Sequence, residues 1–327
     1  MSVASATRGT PEGIDVPSSS AIPHCVFSVD VEDWFHILDL PSTPPVAKWD
    51  SLPSRVGNNF QKLLDILDET GTKATCFFLA WVAKKFPHLV NEASRRGHEI
   101  ASHGFAHRLA YELGAEAFFE DCRVSKQILE DISGSPVLGY RAAGFSTTND
   151  CGWFIEKLVE AGYKYDSSIF PARRGHGGIE GARREPHTVN CPAGEIVEFP
   201  VTVETFIGRP MCFFGGGYLR LFPYSLIRRM SLAVLRSGRP VLFYIHPREI
   251  DPNHPRLAMN AKRQFKSYVN LRTTEPKIRR ILKEFKFKTF AELFAEQHSA
   301  AAGAVSCLKS SARPSYGEKT FATRGEA

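Results

Sequence analysis

Residues 25–36, CVFSVDVEDWFH, run as a buried apolar strand that ends in three carboxylates, Asp30, Glu32 and Asp33. Ionised carboxylates repel one another and cost several kcal/mol to bury unpaired, so the cluster requires a cation, a proton or open solvent. In ASHGFAHRL, His103 and His107 are separated by three residues, and one helical turn would put both imidazoles on the same face, in reach of one ion. Two imidazoles and one carboxylate make a three-ligand site with room for water. A metal there would neutralise one carboxylate and leave a second free as a base. The pattern is not the H-E-x-x-H of zinc proteases, because Gly104 stands where the glutamate base would be. His246 closes the apolar run VLFYIH; it is either a satisfied core histidine or, beside a metal cleft, the group that protonates a leaving amine near neutral pH. Arg141, in LGYRAAG, cannot serve as a base, but its guanidinium fork can hold a carboxylate ionised and aimed, with Asp30 as the natural client.

Such residues need a scaffold, and the chain supplies one in which short β-type runs alternate with helix-type runs. CVFSVDV is followed by NNFQKLLDILDETG, then KATCFFL, PHLVNEASRRG and HEIASH; later GAEAFFEDCRVSKQILEDISG, VLGYRA, DCGWFIEKLVEAG and YKYDSS repeat the alternation, and SLIRRMSLAVLRSG precedes PVLFYIH. About seven βα-like units with glycines closing the helices fit the ~250 residues of a TIM-type barrel, with an open doubly wound sheet as the architectural alternative. The cluster at 30–33, His103, Arg141, Asp166 and His246 all fall at the C-terminal ends of expected strands, the rim where such folds assemble their sites. No G-x-G-x-x-G follows the first strand and no P-loop occurs, so nucleotide binding loses its usual support.

At 327 residues and 43% hydrophobic, the chain can bury a sizeable core. Its net charge of +6 is modest, and the two basic stretches, ARRGHGGIEGARREPH and residues 262–288, read as solvated faces rather than a nucleic-acid stripe. Seven scattered cysteines with no C-x-x-C pair argue against a disulfide framework and for a reducing, cytoplasmic setting. Residues 1–22 lack the apolar core of a signal or anchor and read as a disordered leader; residues 298–327 read as a disordered tail. Between them a catalytic domain is expected over 23–297, with a C-terminal extension from about 250.

FSVDVEDW, SHGFAH, GYRAAG, YKYDSS and LFYIHP occur in the order and approximate spacing of the five motifs of the NodB-like polysaccharide deacetylases, carbohydrate esterase family 4, which the chain resembles over most of residues 23–250. The first motif departs from the common T-F-D-D-G and is similar to the D-x-D form of the peptidoglycan deacetylase and allantoinase-like branch. The segment after His246 resembles deacetylases that accompany exopolysaccharide export clusters of the exosortase-associated type. The resemblance implies a deformed (β/α) TIM-like barrel that removes acetyl groups from N-acetylated polysaccharides or oligosaccharides with a divalent metal, commonly zinc. It implies Asp30 as catalytic base, His103 and His107 as metal ligands, Arg141 as the arginine orienting the base, and His246 as general acid. Gly144 would offer a backbone N–H to the oxyanion, and Asp166 a carboxylate that tunes the acid. The family's metal carboxylate directly follows the base, which leaves Glu32, favoured by strand alternation, and Asp33 as alternatives. Trp34, Phe35, Phe145 and Tyr218 are candidates for stacking on pyranose faces, with core packing the competing role. Hydrolysis of a small cyclic amide or imide, and a non-catalytic carbohydrate-binding barrel, are the rival functions; the oligomeric state is not legible.

Overall fold

In the computed structural model, which describes residues 24–38 and 40–298, every residue of the first strand, β1 (Cys25–Val31), is buried. The expected leader, and the tail from 299 on, lie outside the described residues. After β1 comes α1 (Val56–Asp68), whose buried Val56, Phe60, Leu63, Leu64 and Leu67 recur at helical spacing and give it one apolar face. There follow β2 (Thr75–Phe78), α2 (Ala80–Lys85), α3 (Pro87–Arg95), β3 (Glu99–Ser102), α4 (Ala110–Leu113), α5 (Ala115–Ser133), β4 (Gly139–Tyr140), α6 (Phe154–Glu160) and β5 (Tyr165–Asp166). Gly134 ends α5 in the left-handed conformation that lets a glycine close a helix. A hairpin of β6 (His187–Cys191) and β7 (Gly194–Glu198) precedes a small one of β8 (Glu204–Phe206) and β9 (Arg209–Met211). The rest is α7 (Gly216–Leu221), α8 (Tyr224–Arg236), β10 (Val241–Ile245), α9 (Ala261–Tyr268), α10 (Thr274–Glu284), β11 (Phe287–Lys288) and a helical run over 290–298.

Seven strands run parallel in the order β10-β1-β2-β3-β4-β5-β7, with β6 antiparallel along the outer side of β7 and β11 added to Cys25 and Val26. Parallel strands are covered on both faces, which is why their sequences are almost continuously apolar. On the inner face Val26, Phe77, Ala101, Tyr165, Val197 and Leu242, one from each of six strands, meet Phe199 and Phe290. The outer face packs against the helices. The sheet therefore curls into a barrel, but β7 and β10 do not pair. The segment between them closes the gap: the Leu242 amide donates to Thr202 Oγ1 at 2.9 Å and the Tyr244 amide to the Phe214 carbonyl at 3.1 Å. This is a deformed (β/α) barrel, as expected. Because its strands are parallel, the residues at or just after their C-terminal ends share one rim. Among the described residues, no helix is long and apolar enough to cross a membrane.

Candidate active site

Asp30 sits in the inward-facing row of β1 with Val26 and Ser28. Arg141 follows β4 and lies over the Phe77 ring, its guanidinium carbon 4.1 Å from the ring centre. Its Nη1 donates to Asp30 Oδ1 at 2.7 Å and to Ser28 Oγ at 2.8 Å, while Nε and Nη2 donate to the Ser167 carbonyl and hydroxyl at 3.3 and 3.2 Å. Both residues are buried, and a buried ion pair persists when its remaining donors are satisfied, as here. Asp30 Oδ2 is left facing the cleft, 3.9 Å from His246 Nε2.

Beyond the end of β1 the Glu32 amide turns back onto the Asp30 carbonyl, and Glu32 Oε1 lies 3.2 Å from His103 Nε2 and 3.0 Å from His107 Nε2. Three ligand atoms, one from each residue, fall within 4.8 Å of one another. His103 Nδ1 lies 2.7 Å from the Arg141 carbonyl, which accepts its proton and fixes the ring with Nε2 turned towards Glu32. Burial alone would raise the Glu32 carboxyl, but His107, His246 and His103 hold it well below the usual range. The two histidines are not on a helix: Gly104 and His107 have φ of +75° and +53°, and it is this looped path that brings the rings together, where a helical turn was expected. Asp33 points elsewhere. It accepts from the amides of Trp34, Arg55 and Val56 and from the Ser54 hydroxyl, and so caps the start of α1 rather than joining the imidazoles.

His246 follows β10, with Nε2 3.5 Å from Glu32 Oε1 and Nδ1 3.4 Å from Glu249 Oε2. Burial lowers its pKa to about 4, with Glu32 and Asp30 opposing and Arg248 and His103 reinforcing the shift. Glu249 is itself buried and ion-paired to Arg220 of α7, and Arg220 also donates to the carbonyls of Lys266, Ser267 and Val269 at the end of α9.

Asp166 does not reach His246. It ends β5 beside Glu198, its register partner on β7, and accepts from the Ser168 hydroxyl at 2.6 Å and amide at 3.2 Å. Burial pushes Asp166 up to about 6, and burial together with the Asp166 charge pushes Glu198 well above its ordinary value, as in a carboxylate pair sharing a proton. The carboxylate beside the acid is Glu249, which the sequence reading did not single out, though the spacing of HPRE is that of a capping box. His36 was also passed over; it is buried against His107, with ring centres 6.1 Å apart, and its Nδ1 accepts the Asp33 amide at 3.0 Å.

These groups form the floor of a cleft of about 1000 Å³. Its walls include Gly144, Phe145 and Tyr244, the loop 173–176, and parts of α7 and α9. Gly144 has φ +61°, and a Cβ there would come within 2.7 Å of Leu38. Of the four aromatic candidates, Trp34 and Phe35 pack in the core, Phe145 lines the cleft but is only 3% exposed, and Tyr218 is 44% exposed at its mouth. Phe265 of α9 is 56% exposed there as well.

A curled parallel sheet thus carries a paired aspartate, a carboxylate–imidazole cluster and a buried histidine on its C-terminal rim, the place where parallel α/β barrels assemble their sites. Residues 46–165 match the family described as polysaccharide deacetylase, and residues 167–295 match a domain of unknown function, DUF3473. The chain thus carries a polysaccharide deacetylase domain over residues 46–165. A peptidoglycan-N-acetylglucosamine deacetylase of Bacillus cereus is 30% identical over 73 residues, 22% of this chain, and the chain spans only 26% of that relative's length. A crystal structure named as a polysaccharide deacetylase of Mycobacterium smegmatis superposes with a TM-score of 0.59 at 20% identity, covering 87% of this chain and 93% of the other. The PuuE allantoinase structure superposes at 0.55 and 16% identity, covering 88% and 98%. At these identities the superpositions speak for the fold alone.

Proposed function

We propose that the chain is a metal-dependent N-deacetylase that hydrolyses the acetamide of an amino-sugar polysaccharide. The observation that carries this is the approach of Glu32 Oε1 to 3.2 and 3.0 Å from two imidazole Nε2 atoms. With its Nδ1 proton donated to a carbonyl, His103 turns Nε2 on a carboxylate oxygen, a contact that needs either a second ring proton or a metal ion between the two atoms. Glu32, His103 and His107 therefore fit a divalent ion, and their nitrogen and oxygen donors suit zinc. When bound, that ion supplies an acidified water and polarises the acetyl carbonyl.

The chain's own residues do the rest. Arg141 grips Asp30 Oδ1, and Oδ2 is the oxygen free to take a proton from the attacking water. His246, held neutral by burial, becomes an acid only by taking up a proton in the reaction; Asp30 Oδ2, 3.9 Å from Nε2, is the donor at hand, and the departing amine the recipient. Glu249 stabilises the imidazolium that forms. Gly144, a wall residue whose conformation excludes a side chain, offers a backbone N–H to the oxyanion. A cleft of about 1000 Å³ suits several sugar units better than a small cyclic imide. We assign the reaction to exopolysaccharide biosynthesis on the motif pattern, and to the cytoplasm because the six described cysteines are free. The test is acetate release from a panel of N-acetylated oligosaccharides, with and without added divalent metal. Metal-dependent release that Asp30→Asn abolishes supports the proposal; no release from any oligosaccharide in either condition overturns it.

A further inference from the structure

The walls of the cleft carry far more positive charge than its chemistry uses. Arg173, Arg174, Arg220, Arg248, Lys262, Arg263 and Lys266 all line it. Arg220 is paired with Glu249, and Arg173 with Glu180 at 2.9 Å. The other five make no ion pair among the described residues. The acids lining the cleft, Asp30, Glu32 and Glu249, are each engaged on the floor, by Arg141, by the imidazoles and by Arg220. These five cations come from three separate walls, the loop after β5, the turn after β10 and one face of α9, and Arg263 Nη2 donates to the Leu38 carbonyl at 2.8 Å. Three of them hold a buried guanidinium nitrogen with no hydrogen-bond partner: Arg174 Nη1, Arg248 Nε and Arg263 Nε. Arg174 is further held between the rings of Phe145 and Phe170, at 4.9 and 5.2 Å. A buried N–H left unpaired is costly, and like charges crowded on one concave surface repel; a neutral glycan relieves only the first of these.

We propose that the substrate is an anionic acetamido sugar, with carboxylate or phosphate oxyanions lying beside the N-acetyl group and held by Arg174, Arg248, Lys262, Arg263 and Lys266. This deepens the deacetylase proposal and rests on it for the acetamide alone. Planar guanidinium groups bind either oxyanion through paired N–H bonds, whether it belongs to an acidic sugar within the polymer or to the diphosphate of a carrier-linked saccharide.

Binding can be read apart from catalysis by titrating the metal-loaded full chain, by calorimetry, with sugars that lack an acetamide: tetragalacturonate, uridine diphosphate glucose and neutral cellotetraose. At least one anionic probe should bind about tenfold more tightly than cellotetraose, with an affinity that falls as salt rises. Lys262→Gln/Lys266→Gln, at two exposed positions where the fold is not at risk, should bring that probe to within about threefold of cellotetraose. Preference for tetragalacturonate places the oxyanion in the polymer; preference for the nucleotide sugar places it on a diphosphate carrier. Equal binding of all three, or an anion preference that the double variant leaves untouched, overturns the proposal. Acetate release from a tetrasaccharide alternating N-acetylglucosamine with glucuronate, against the N-acetylglucosamine tetramer, tests the catalytic reading separately: anion binding without any acetate release would sink deacetylation and leave the anion site standing.

Discussion

Asp30 and Glu32 are two positions apart, yet their carboxylates meet different fates, the first gripped by a guanidinium and the second set between imidazoles. Glu32→Gln should therefore lose stoichiometric metal in elemental analysis, whereas Asp33→Asn should keep it; the reverse outcome would reassign the cluster. The sequence left Glu32 and Asp33 open because the strand stops at Val31, and the parity of a strand does not extend into a turn. His246→Ala should cut turnover by about 10²–10⁴-fold with metal content unchanged. Glu249→Gln should cost turnover in the same direction but by less, since the carboxylate acts only through the imidazole. Asp166 was misjudged for a definite reason: its partner Glu198 arrives from β7, and nothing in YKYDSS reveals which strand will lie alongside.

Elements were more legible than side-chain partners. Alternating apolar and amphipathic runs, closed by glycines, marked the parallel strands and the rim on which Asp30, His103, Arg141 and His246 stand. The hairpin partner β6 was not foreseen, because its alternating pattern faces solvent at a sheet edge and carries little apolar signal. The histidine spacing suggested a helix where the chain instead uses two left-handed residues, since three intervening positions are compatible with either path. Asp33 belongs to this scale too. By accepting the first amides of α1 it does the work of a cap, and Arg55, at the cap position itself, makes no side-chain capping bond. Asp33→Ala should destabilise the fold by about 1–2 kcal/mol, read as a lower denaturant midpoint at unchanged slope.

Across the whole molecule, the Asp166–Glu198 pair ties stability to pH. Both carboxyls titrate higher in the folded chain than the value near 4 of an unfolded one. Their stabilising contribution is therefore complete below about pH 4 and is lost as pH rises through about 6. Glu198→Gln should flatten the fall of Tm between about pH 4 and 7 relative to the native chain; parallel Tm curves would mean that the pair holds no extra proton. The basic walls bear on the reaction's end as much as its beginning. In the proposed reaction, removing an acetyl group would turn a neutral amide into an amine that is protonated at neutral pH, so each turnover would add a positive charge to a sugar lying among Arg174, Lys262 and Lys266. The new ammonium would offset the oxyanion that drew the substrate in, and the walls' hold on the product would weaken. Such a catalyst works by hit and release: it should leave acetylated units between deacetylated ones rather than strip a contiguous block, a pattern that sequencing of the partly reacted chain would display.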